Sequence, residues 1–186
     1  MARIAVFISG GGTNLQAIID ACESGEIDGE VVLVISNKDN VYGLERAKKH
    51  GIKHHVATDS KQTLELLEKA DIDLIALAGY IRKIPKEMIE RYPNRIVNVH
   101  PSLIPSFAGK GFYGINVHKA AINRGVKVSG ATVHLVNEDL DAGPILEQEP
   151  VMILPDDTPE ILQKRILDVE HRLFVRAIKN LLKGDA

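Results

Sequence analysis

An amide and an imidazole side chain stand two positions apart in the sequence RIVNVHPSLIP, residues 95–105. The apolar residues of its first half predict a strand, and Pro101 and Pro105 predict that the strand ends there. Because side chains alternate along a strand, Asn98 and His100 project together from its carboxyl end. An amide can donate to an oxygen, and an imidazole can gain or lose a proton near neutral pH. We therefore take Asn98 and His100 as the candidate chemical centre.

A run of three glycines follows the first predicted strand. Residues 3–8 (RIAVFI) predict a buried parallel strand, and apolar residues at helical spacing after Asn14 predict a helix. Thr13 or Asn14 is the expected N-cap of that helix. Free backbone N–H groups at such a turn, aligned with the helix dipole, form a phosphate site. The alternative is a tight turn without a ligand.

The glycine run SGGGTN, residues 9–14, differs from two well-known nucleotide motifs. No lysine follows its last glycine, which excludes a Walker loop. Leu15 occupies the position of the third glycine in a dinucleotide fingerprint, so that motif is also incomplete. The pattern therefore favours a mononucleotide or a sugar phosphate as the ligand.

The elements that must position these residues alternate between strand and helix. This alternation predicts an α/β fold: a mostly parallel, twisted, Rossmann-like sheet with helices on both faces. In such a sheet, ligands bind at the carboxyl ends of the strands. Residues 106–114 predict a mobile loop, and residues 127–136 and 145–153 predict two antiparallel strands. Residues 158–182 predict a long terminal helix with Thr158 as its N-cap.

The composition narrows the class of protein and its partners. The chain of 186 residues suits a single domain, and its net charge of −2 provides no basic surface for nucleic acid. Cys22 is the only cysteine, so neither an internal disulfide nor a CxxC zinc or redox motif can form. No apolar run approaches the ~20 residues of a membrane span, and no signal peptide precedes the first strand. We expect a soluble cytoplasmic protein.

Two further side chains could join Asn98 and His100. Asp141 lies in a predicted turn, residues 137–144, and His134 lies in the strand before it. Each candidate has an ordinary structural alternative. His100 could be hydrogen-bonded locally, Asp141 could simply form a turn, and His134 could be a structural strand residue. The sequence spacing alone does not bring Asp141 to His100.

Four segments occur in one order along the chain: SGGGTNLQAII, NVHPSLIP, SGATVHLV and LDAGPI. They resemble the folate-dependent formyltransferases, and the glycine loop running into NLQAII resembles their glycinamide ribonucleotide branch. The similarity extends from Arg3 to about Phe174. It implies transfer of a formyl group from 10-formyltetrahydrofolate to the amine of N1-(5-phospho-D-ribosyl)glycinamide in purine (IMP) biosynthesis. It also implies one formyltransferase domain, residues 1–186, with a phosphate-binding half (1–100) and a folate and catalytic half (101–186).

The resemblance gives the candidate centre a mechanism. The substrate amine attacks the formyl carbon directly, and Asn98 donates a hydrogen bond to the oxyanion that forms. His100, in its cationic form, donates to the same oxygen or protonates the departing folate nitrogen. Asp141 favours that cationic form and accepts the amine proton through water. The scheme needs no covalent intermediate and no metal ion.

The resemblance also implies binding residues. The substrate phosphate and ribose would contact the glycine loop and one acidic residue of the terminal helix: Gly11, Gly12, Thr13, Asn14 and Glu170. The folate would contact a backbone-rich wall and two polar side chains outside it: Ile81, Arg82, Lys83, Ile84, Lys61 and Asn98. Thr132 and His134 match site-lining positions. The segment 58–73 is shorter than in the family, so Lys61 is the nearest candidate for a folate-binding arginine.

Three alternative functions share parts of this pattern. A hydrolase that releases formate from the same folate would use the same three polar residues, with water as the nucleophile. A methionyl-tRNA formyltransferase would need a nucleic-acid-binding annex, for which length and charge leave little room. A non-catalytic nucleotide-binding module would explain the glycine loop alone. The expected partners are small molecules, without nucleic acid or membrane, and a homodimer is compatible with the sequence. We expect residues 106–114 to close over the substrates.

Overall fold

The computed structural model describes residues 1–184, which form one seven-stranded sheet and six helices. The strands are β1 (Ala2–Ile8), β2 (Gly29–Ser36), β3 (Lys53–Val56), β4 (Leu74–Leu77), β5 (Ile96–His100), β6 (Val128–Leu135) and β7 (Ile145–Met152). The helices are α1 (Thr13–Glu23), α2 (Tyr42–Lys49), α3 (Ser60–Lys69), α4 (Lys86–Arg91), α5 (Ile115–Arg124) and α6 (Pro159–Lys183). The predicted elements are present, with small shifts at their ends.

The strand order is β3-β2-β1-β4-β5-β6-β7. Strands β1 to β5 are parallel, whereas β6 is antiparallel to β5 and β7 is antiparallel to β6. This confirms the predicted mostly parallel sheet with antiparallel strands from the C-terminal part. The chain moves away from β1 in one direction through β2 and β3, and in the other through β4 and β5. The carboxyl ends of β1 and β4 therefore flank a crevice at the switch point, where ligands bind in such sheets.

The sheet separates two apolar cores, one on each face. Along β1, Ile4, Val6 and Ile8 pack into the core that includes α1 and α6. Ala5 and Phe7 pack into the core that includes α3 and α4. This alternation follows the period of two along a strand, and both faces are apolar because helices cover both. Burial on both faces makes β1 a fixed platform for the glycine loop that follows it.

Helix α6 packs against α1 and β6, and its middle reaches the glycine loop. It begins as predicted, since the Thr158 hydroxyl accepts a hydrogen bond from the N–H of Ile161 (3.3 Å). It ends at Gly184, whose left-handed backbone (φ 77°) favours glycine. Among residues 1–184, no helix is both long enough and apolar enough to cross a membrane.

The start of α1 differs from the prediction. Neither Thr13 nor Asn14 is the N-cap, because Gly12 holds that position with φ 70° and no side chain caps the helix. A Cβ at Gly12 would lie 2.7 Å from the Cα of Gly43, so the close contact between the loop and α2 requires glycine. The first N–H groups of α1 are thus left without a capping side chain, which suits an anion at this helix end.

Candidate active site

The candidate catalytic side chains meet at the carboxyl end of β5. Asn98 and His100 belong to this strand, and Asp141 approaches them from the turn between β6 and β7. Asn98 Nδ2 lies 3.5 Å from Asp141 Oδ1, and His100 Nδ1 lies 3.7 Å from Asp141 Oδ2. The structure thus brings Asp141 to both strand residues, which the sequence spacing alone did not do.

Asp141 is held in place by the backbone around it. Its Oδ2 accepts a hydrogen bond from the N–H of Gly109 (2.9 Å), and its own backbone is left-handed (φ 53°). Aspartate tolerates this conformation better than most residues. Two positions later, a Cβ at Gly143 would overlap the carbonyl of Leu135, so the turn can pass against β6 only because residue 143 is glycine. The fixed turn delivers the carboxylate to His100.

The backbone also fixes the tautomer of His100. Its Nε2 lies 2.9 Å from the carbonyl oxygen of Phe107, which can only accept a hydrogen bond. Nε2 therefore carries the proton, and the neutral ring presents an unprotonated Nδ1 toward Asp141. Burial lowers the pKa of His100, and the opposing effects of Asp141 and the Phe107 carbonyl do not reverse this. Asp141 acts in the predicted direction, because its charge favours the cationic form of His100, but in the free protein desolvation exceeds this attraction.

Asp141 is ionised near neutral pH. Burial raises the pKa of its carboxyl, but interactions with His134 and His100 and the Gly109 N–H outweigh burial and leave the pKa below its usual value. The unprotonated Nδ1 of His100 and the Asp141 carboxylate are both proton acceptors, and they face each other across 3.7 Å. This pair is suited to take a proton from a substrate amine.

His134 lies opposite Asn98 in the β5–β6 pairing and orients its amide. His134 Nδ1 donates to the carbonyl of Leu135 (2.9 Å), which leaves Nε2 to accept from Asn98 Nδ2 (3.1 Å). One hydrogen of the Asn98 amide is thereby committed to His134. The other reaches Asp141 only at 3.5 Å and can turn to a substrate oxygen.

Thr132 supports the backbone that follows His100, and it lines neither of the cavities described below. It is fully buried opposite His100, and its hydroxyl donates to the carbonyl of Ser102 (2.6 Å). The same oxygen accepts hydrogen bonds from the N–H of Ile104 (3.1 Å) and from Gln148 Nε2 (3.0 Å). Thr132 therefore fixes the bend of the chain beyond the catalytic strand.

A cavity of about 340 Å³ opens in front of the glycine loop. Beside the loop, residues 10–14, it is lined by the ends of β4 and β5, the start of α5 and the middle of α6: Ala78, Gly79, Val99, Pro101, Gly114, His118, Gln163, Leu167 and Glu170. Asn14 Nδ2 donates to Glu170 Oε2 (2.8 Å) across this cavity wall. All five residues predicted to bind the ribose phosphate, Gly11, Gly12, Thr13, Asn14 and Glu170, thus line one cavity.

Two buried polar groups of this cavity have unusual charge states. Burial raises the pKa of Glu170 to about 7, and the hydrogen bond from Asn14 lowers it only in part. Burial lowers the pKa of His118 to about 4, so this ring is neutral at physiological pH. Asn14 Oδ1 and His118 Nδ1 are both buried and have no hydrogen-bond partner among residues 1–184. A cavity with unpartnered polar atoms in its walls is suited to a polar ligand.

Sequence reasoning did not find His118. It lies on the inner face of α5 and is 1% exposed. In the sequence, His118 looks like an ordinary core-facing residue of a helix. It becomes part of a cavity only because α5 docks beside the glycine loop. No sequence signal separates the two cases.

A narrower cleft lies on the other side of β5. Its lining combines the segment after β4, the catalytic strand and the Asp141 turn: Leu77, Tyr80, Ile81, Arg82, Lys83, Ile84, Asn98, His134, Val136, Asn137, Asp139, Leu140 and Asp141. The large apolar side chains of Ile81 and Leu140 are about half exposed at this cleft. A cleft in which apolar side chains stand beside convergent polar groups is suited to a small organic ligand.

Lys61 is not brought to this cleft. It is exposed on α3 and lines neither the cleft nor the neighbouring cavity of about 340 Å³ that shares residues 82–84 with it. Arg82 lines both, and its guanidinium donates to the carbonyl of Thr58 (2.9 Å). Of the two predicted cationic contacts, Arg82 therefore lines the cleft and Lys61 does not.

Both halves of the chain contribute to each site. The glycine-loop cavity takes Glu170 from α6, and the cleft takes residues 81–84 from the N-terminal half. The candidate ligand sites therefore lie between the two predicted halves. Among the residues that the structure describes, no three His, Cys, Asp or Glu side chains are grouped so as to hold a metal ion.

Comparison with known protein families identifies the class of protein to which this chain belongs. The model of the family described as "Formyl transferase" matches residues 2–178. The chain therefore belongs to the formyl transferase family.

Relatives within this family carry a more specific name. The chain is 42% identical to phosphoribosylglycinamide formyltransferase, chloroplastic, of Arabidopsis thaliana, over 95% of this chain and 64% of that protein. It is 40% identical to phosphoribosylglycinamide formyltransferase of Haemophilus influenzae, over 99% of this chain and 89% of that protein. The crystal structure of glycinamide ribonucleotide transformylase 1 from Symbiobacterium toebii matches with a TM-score of 0.93 and 42% identity, covering 99% of this chain and 89% of that one. The chain thus spans slightly less than two thirds of its Arabidopsis relative.

Proposed function

We propose that the protein is a phosphoribosylglycinamide formyltransferase. It moves the formyl group of 10-formyltetrahydrofolate to the amine of N1-(5-phospho-D-ribosyl)glycinamide, a step of de novo purine (IMP) biosynthesis. One observation carries the proposal: the end of β5 lies between the glycine-loop cavity and the narrower cleft. Val99 and Pro101 line the glycine-loop cavity, whereas Asn98 and Asp141 line the cleft. Two substrates bound in these spaces meet at Asn98, His100 and Asp141.

The ribonucleotide fits the glycine-loop cavity by charge and hydrogen bonding. Its phosphate lies at the uncapped N-terminus of α1, where backbone N–H groups and the helix dipole favour an anion. Its ribose hydroxyls lie against Glu170, whose buried carboxyl accepts one hydrogen bond from Asn14 and has further acceptor capacity. The glycinamide amine then extends past Pro101 toward the catalytic centre.

The folate fits the cleft beside Asn98. Its flat pterin ring packs between Ile81 and Leu140 and hydrogen-bonds to the backbone of residues 81–84. When bound, 10-formyltetrahydrofolate supplies the electrophilic formyl carbon and a nitrogen leaving group. Asn98 and Asp141, at the inner end of the cleft, place that carbon within reach of the amine.

His100 and Asp141 manage the proton in this reaction. The amine attacks the formyl carbon and forms the new C–N bond, and its surplus proton passes to the unprotonated Nδ1 of His100, either directly or by way of water and Asp141. The charged His100 then gives a proton to the folate nitrogen as the old C–N bond breaks. The lowered pKa of His100 in the free protein suits this order, because the ring must first be neutral to accept.

Asn98 stabilises the oxyanion of the tetrahedral intermediate. His134 holds one hydrogen of its amide, so the other hydrogen is directed toward the reacting carbon. Such a fixed donor is worth a factor of about 10²–10³ in rate when it is aimed at the charge that develops.

We further propose a cytoplasmic location and small-molecule substrates as the ligands, with neither nucleic acid nor membrane as a partner. A homodimer is compatible with this scheme, and sedimentation velocity would reveal it.

An absorbance assay of folate deformylation tests the proposal. Purified protein is mixed with 10-formyltetrahydrofolate alone, and glycinamide ribonucleotide is added later. We expect deformylation to begin only when the amine is added, with one formylated product formed for each folate consumed.

Two other results would overturn it. Formate release before the amine is added would identify a hydrolase that uses the same polar residues with water. No reaction in either phase, together with tight binding of a nucleotide, would identify a non-catalytic binding module.

A further inference from the structure

The carbonyl groups of Gly10, Gly11 and Gly12 are each held by a hydrogen bond from helix α1 or α2. The Gly10 carbonyl accepts a hydrogen bond from the N–H of Gly43 (3.1 Å), at the start of α2. The Gly12 carbonyl accepts from the N–H of Gln16 (3.0 Å), in α1. Because a peptide carbonyl and the following N–H point in opposite directions, tying the carbonyls back turns the N–H groups toward the cavity.

The third carbonyl of the loop is held by a side chain. Arg46 Nε donates to the Gly11 carbonyl (2.9 Å), and Arg46 Nη1 donates to Gln16 Oε1 (3.1 Å). The guanidinium carbon also lies 4.9 Å from the centre of the Tyr42 ring, which limits its movement. Arg46 therefore clamps the loop to α1 and α2 from the side opposite the cavity.

The charge of Arg46 is not neutralised by a carboxylate. Its two oxygen partners, the Gly11 carbonyl and the Gln16 amide, are uncharged, and none of the ion pairs within residues 1–184 includes Arg46. Its field extends to α6, where its repulsion contributes to the lowered pKa of His171, next to Glu170. A full positive charge thus lies directly behind the loop that faces the cavity.

We infer that Arg46 is a positioning residue for the phosphate of the substrate. It acts through the Gly11 peptide, which it holds with the N–H groups turned to the cavity, and it adds an unpaired positive charge behind them. It does not touch the reacting atoms, so it governs binding of the phosphorylated substrate and leaves the chemical step unaffected. The inference rests on the proposed function only for the identity of that substrate.

Variants at Arg46 test this role with ribose 5-phosphate as the binding probe. Arg46→Met removes both the charge and the Nε–H bond, and Arg46→Lys keeps the charge but loses the fixed planar donor. Lys49→Met is the matched control, because Lys49 is a second cation of α2 whose ammonium also lies near the Tyr42 ring (5.4 Å). Calorimetry gives the Kd of ribose 5-phosphate, and steady-state kinetics give kcat and both KM values. Thermal melting confirms that each variant is folded.

Arg46→Met should raise the Kd of ribose 5-phosphate and the KM of the ribonucleotide about tenfold or more, the size of one hydrogen bond from a charged donor. Its kcat and folate KM should stay within twofold, Arg46→Lys should recover part of the loss, and Lys49→Met should match the wild type. An unchanged Kd in folded Arg46→Met, or equal losses in ribonucleotide KM, folate KM and kcat, would overturn the inference. If the wild type binds ribose 5-phosphate without transferring formyl groups, the proposed function fails, and the effect of Arg46 on the Kd still decides the inference.

Discussion

The glycine-loop cavity and the catalytic centre differ in how tightly their polar groups are joined. Around the loop, Asn14 bonds Glu170 at 2.8 Å and Arg46 bonds the Gly11 carbonyl at 2.9 Å. At the centre, Asp141 lies 3.5 Å from the Asn98 amide and 3.7 Å from the His100 ring. The hydrogen bonds that hold the glycine loop are thus already formed within the protein, and the unpartnered atoms of its cavity, Asn14 Oδ1 and His118 Nδ1, lie in the cavity wall. At the centre, the gaps lie between the candidate catalytic side chains themselves.

This difference matches what each region has to do. A binding surface gains affinity when the fold has already ordered it, because little entropy is then lost on binding. A reacting centre must instead leave donors and acceptors free for atoms that arrive with the substrates, and must hold them in position meanwhile. His134 and the Phe107 carbonyl hold the proposed catalytic side chains in position, each by one hydrogen bond.

Replacement of His100 should give the largest effect. It should lower the reaction rate at the catalytic centre and leave binding at the glycine-loop cavity unchanged. His100→Ala removes the proton acceptor at the centre, so kcat should fall by about 10²–10⁴, the usual range for general acid–base groups. The Kd of ribose 5-phosphate, measured by calorimetry, should stay within twofold because the glycine loop is untouched. Unchanged turnover in the absorbance assay would show that His100 does not carry the proton.

The next effect concerns the free energy of unfolding and its dependence on pH. The pKa of Glu170 is about 7 in the folded protein, against 4.5 for an ordinary glutamate. Between pH 4.5 and pH 7 the folded state holds the Glu170 proton more tightly than the unfolded state does. The free energy of unfolding therefore falls as the pH rises through this range. The full loss is roughly 3 kcal/mol, since one pKa unit corresponds to 1.36 kcal/mol.

Glu170→Gln should remove this loss. Urea unfolding between pH 5 and 8 should show the variant gaining stability relative to the wild type by roughly 3 kcal/mol as pH rises. Glu160→Gln, on the exposed start of the same helix, should instead run parallel to the wild type. Parallel curves for Glu170→Gln and the wild type would mean that the carboxylate is ionised in the folded protein at no cost.

The sequence predicts the fold well because the relevant signals are local. The apolar strands, the glycine run and the Thr158 cap each depend on neighbouring residues, and the structure contains the sheet and the helix that they predict. The N-cap of α1 was wrong because the contact between Gly12 and Gly43, two residues from different elements, decides how that helix starts. Propensity cannot report a contact between elements.

The candidate site could be predicted only as separate pieces. Asn98 and His100 were found from their spacing, but their distance from Asp141 depends on the antiparallel pairing of β5 with β6. The pKa of His100 also depends on burial, which no spacing reveals and which opposes the predicted effect of Asp141. His118 and Arg46 are parts of the site only through docking of their helices, so the sequence did not distinguish them.

A smaller effect on the stability of the protein should follow when the glycine loop is strained. Gly12→Ala places a Cβ 2.7 Å from the Cα of Gly43 on a left-handed backbone (φ 70°), which should destabilise the protein by about 1–2 kcal/mol. Gly10→Ala is the control, because a Cβ there meets nothing within 4 Å and the backbone is not left-handed. Melting temperatures without ligand should fall for Gly12→Ala only. Equal melting temperatures would show that the loop is not held against α2 as closely as the structure indicates.

The smallest effects concern the outer end of the cleft proposed to bind folate, for which Arg82 and Lys61 are the two candidate cationic contacts. Arg82→Ala should raise the folate KM by about three- to tenfold, because it loses the bond to the Thr58 carbonyl together with a cation lining the cleft. Lys61→Ala should leave the folate KM within twofold, because Lys61 is exposed and outside the lining. Steady-state kinetics with the ribonucleotide saturating separates the two. A larger effect at Lys61 than at Arg82 would mean that the segment after β3 moves onto the cleft when folate binds. This end of the cleft would then gain its full set of contacts only with the ligand bound, as the catalytic centre does.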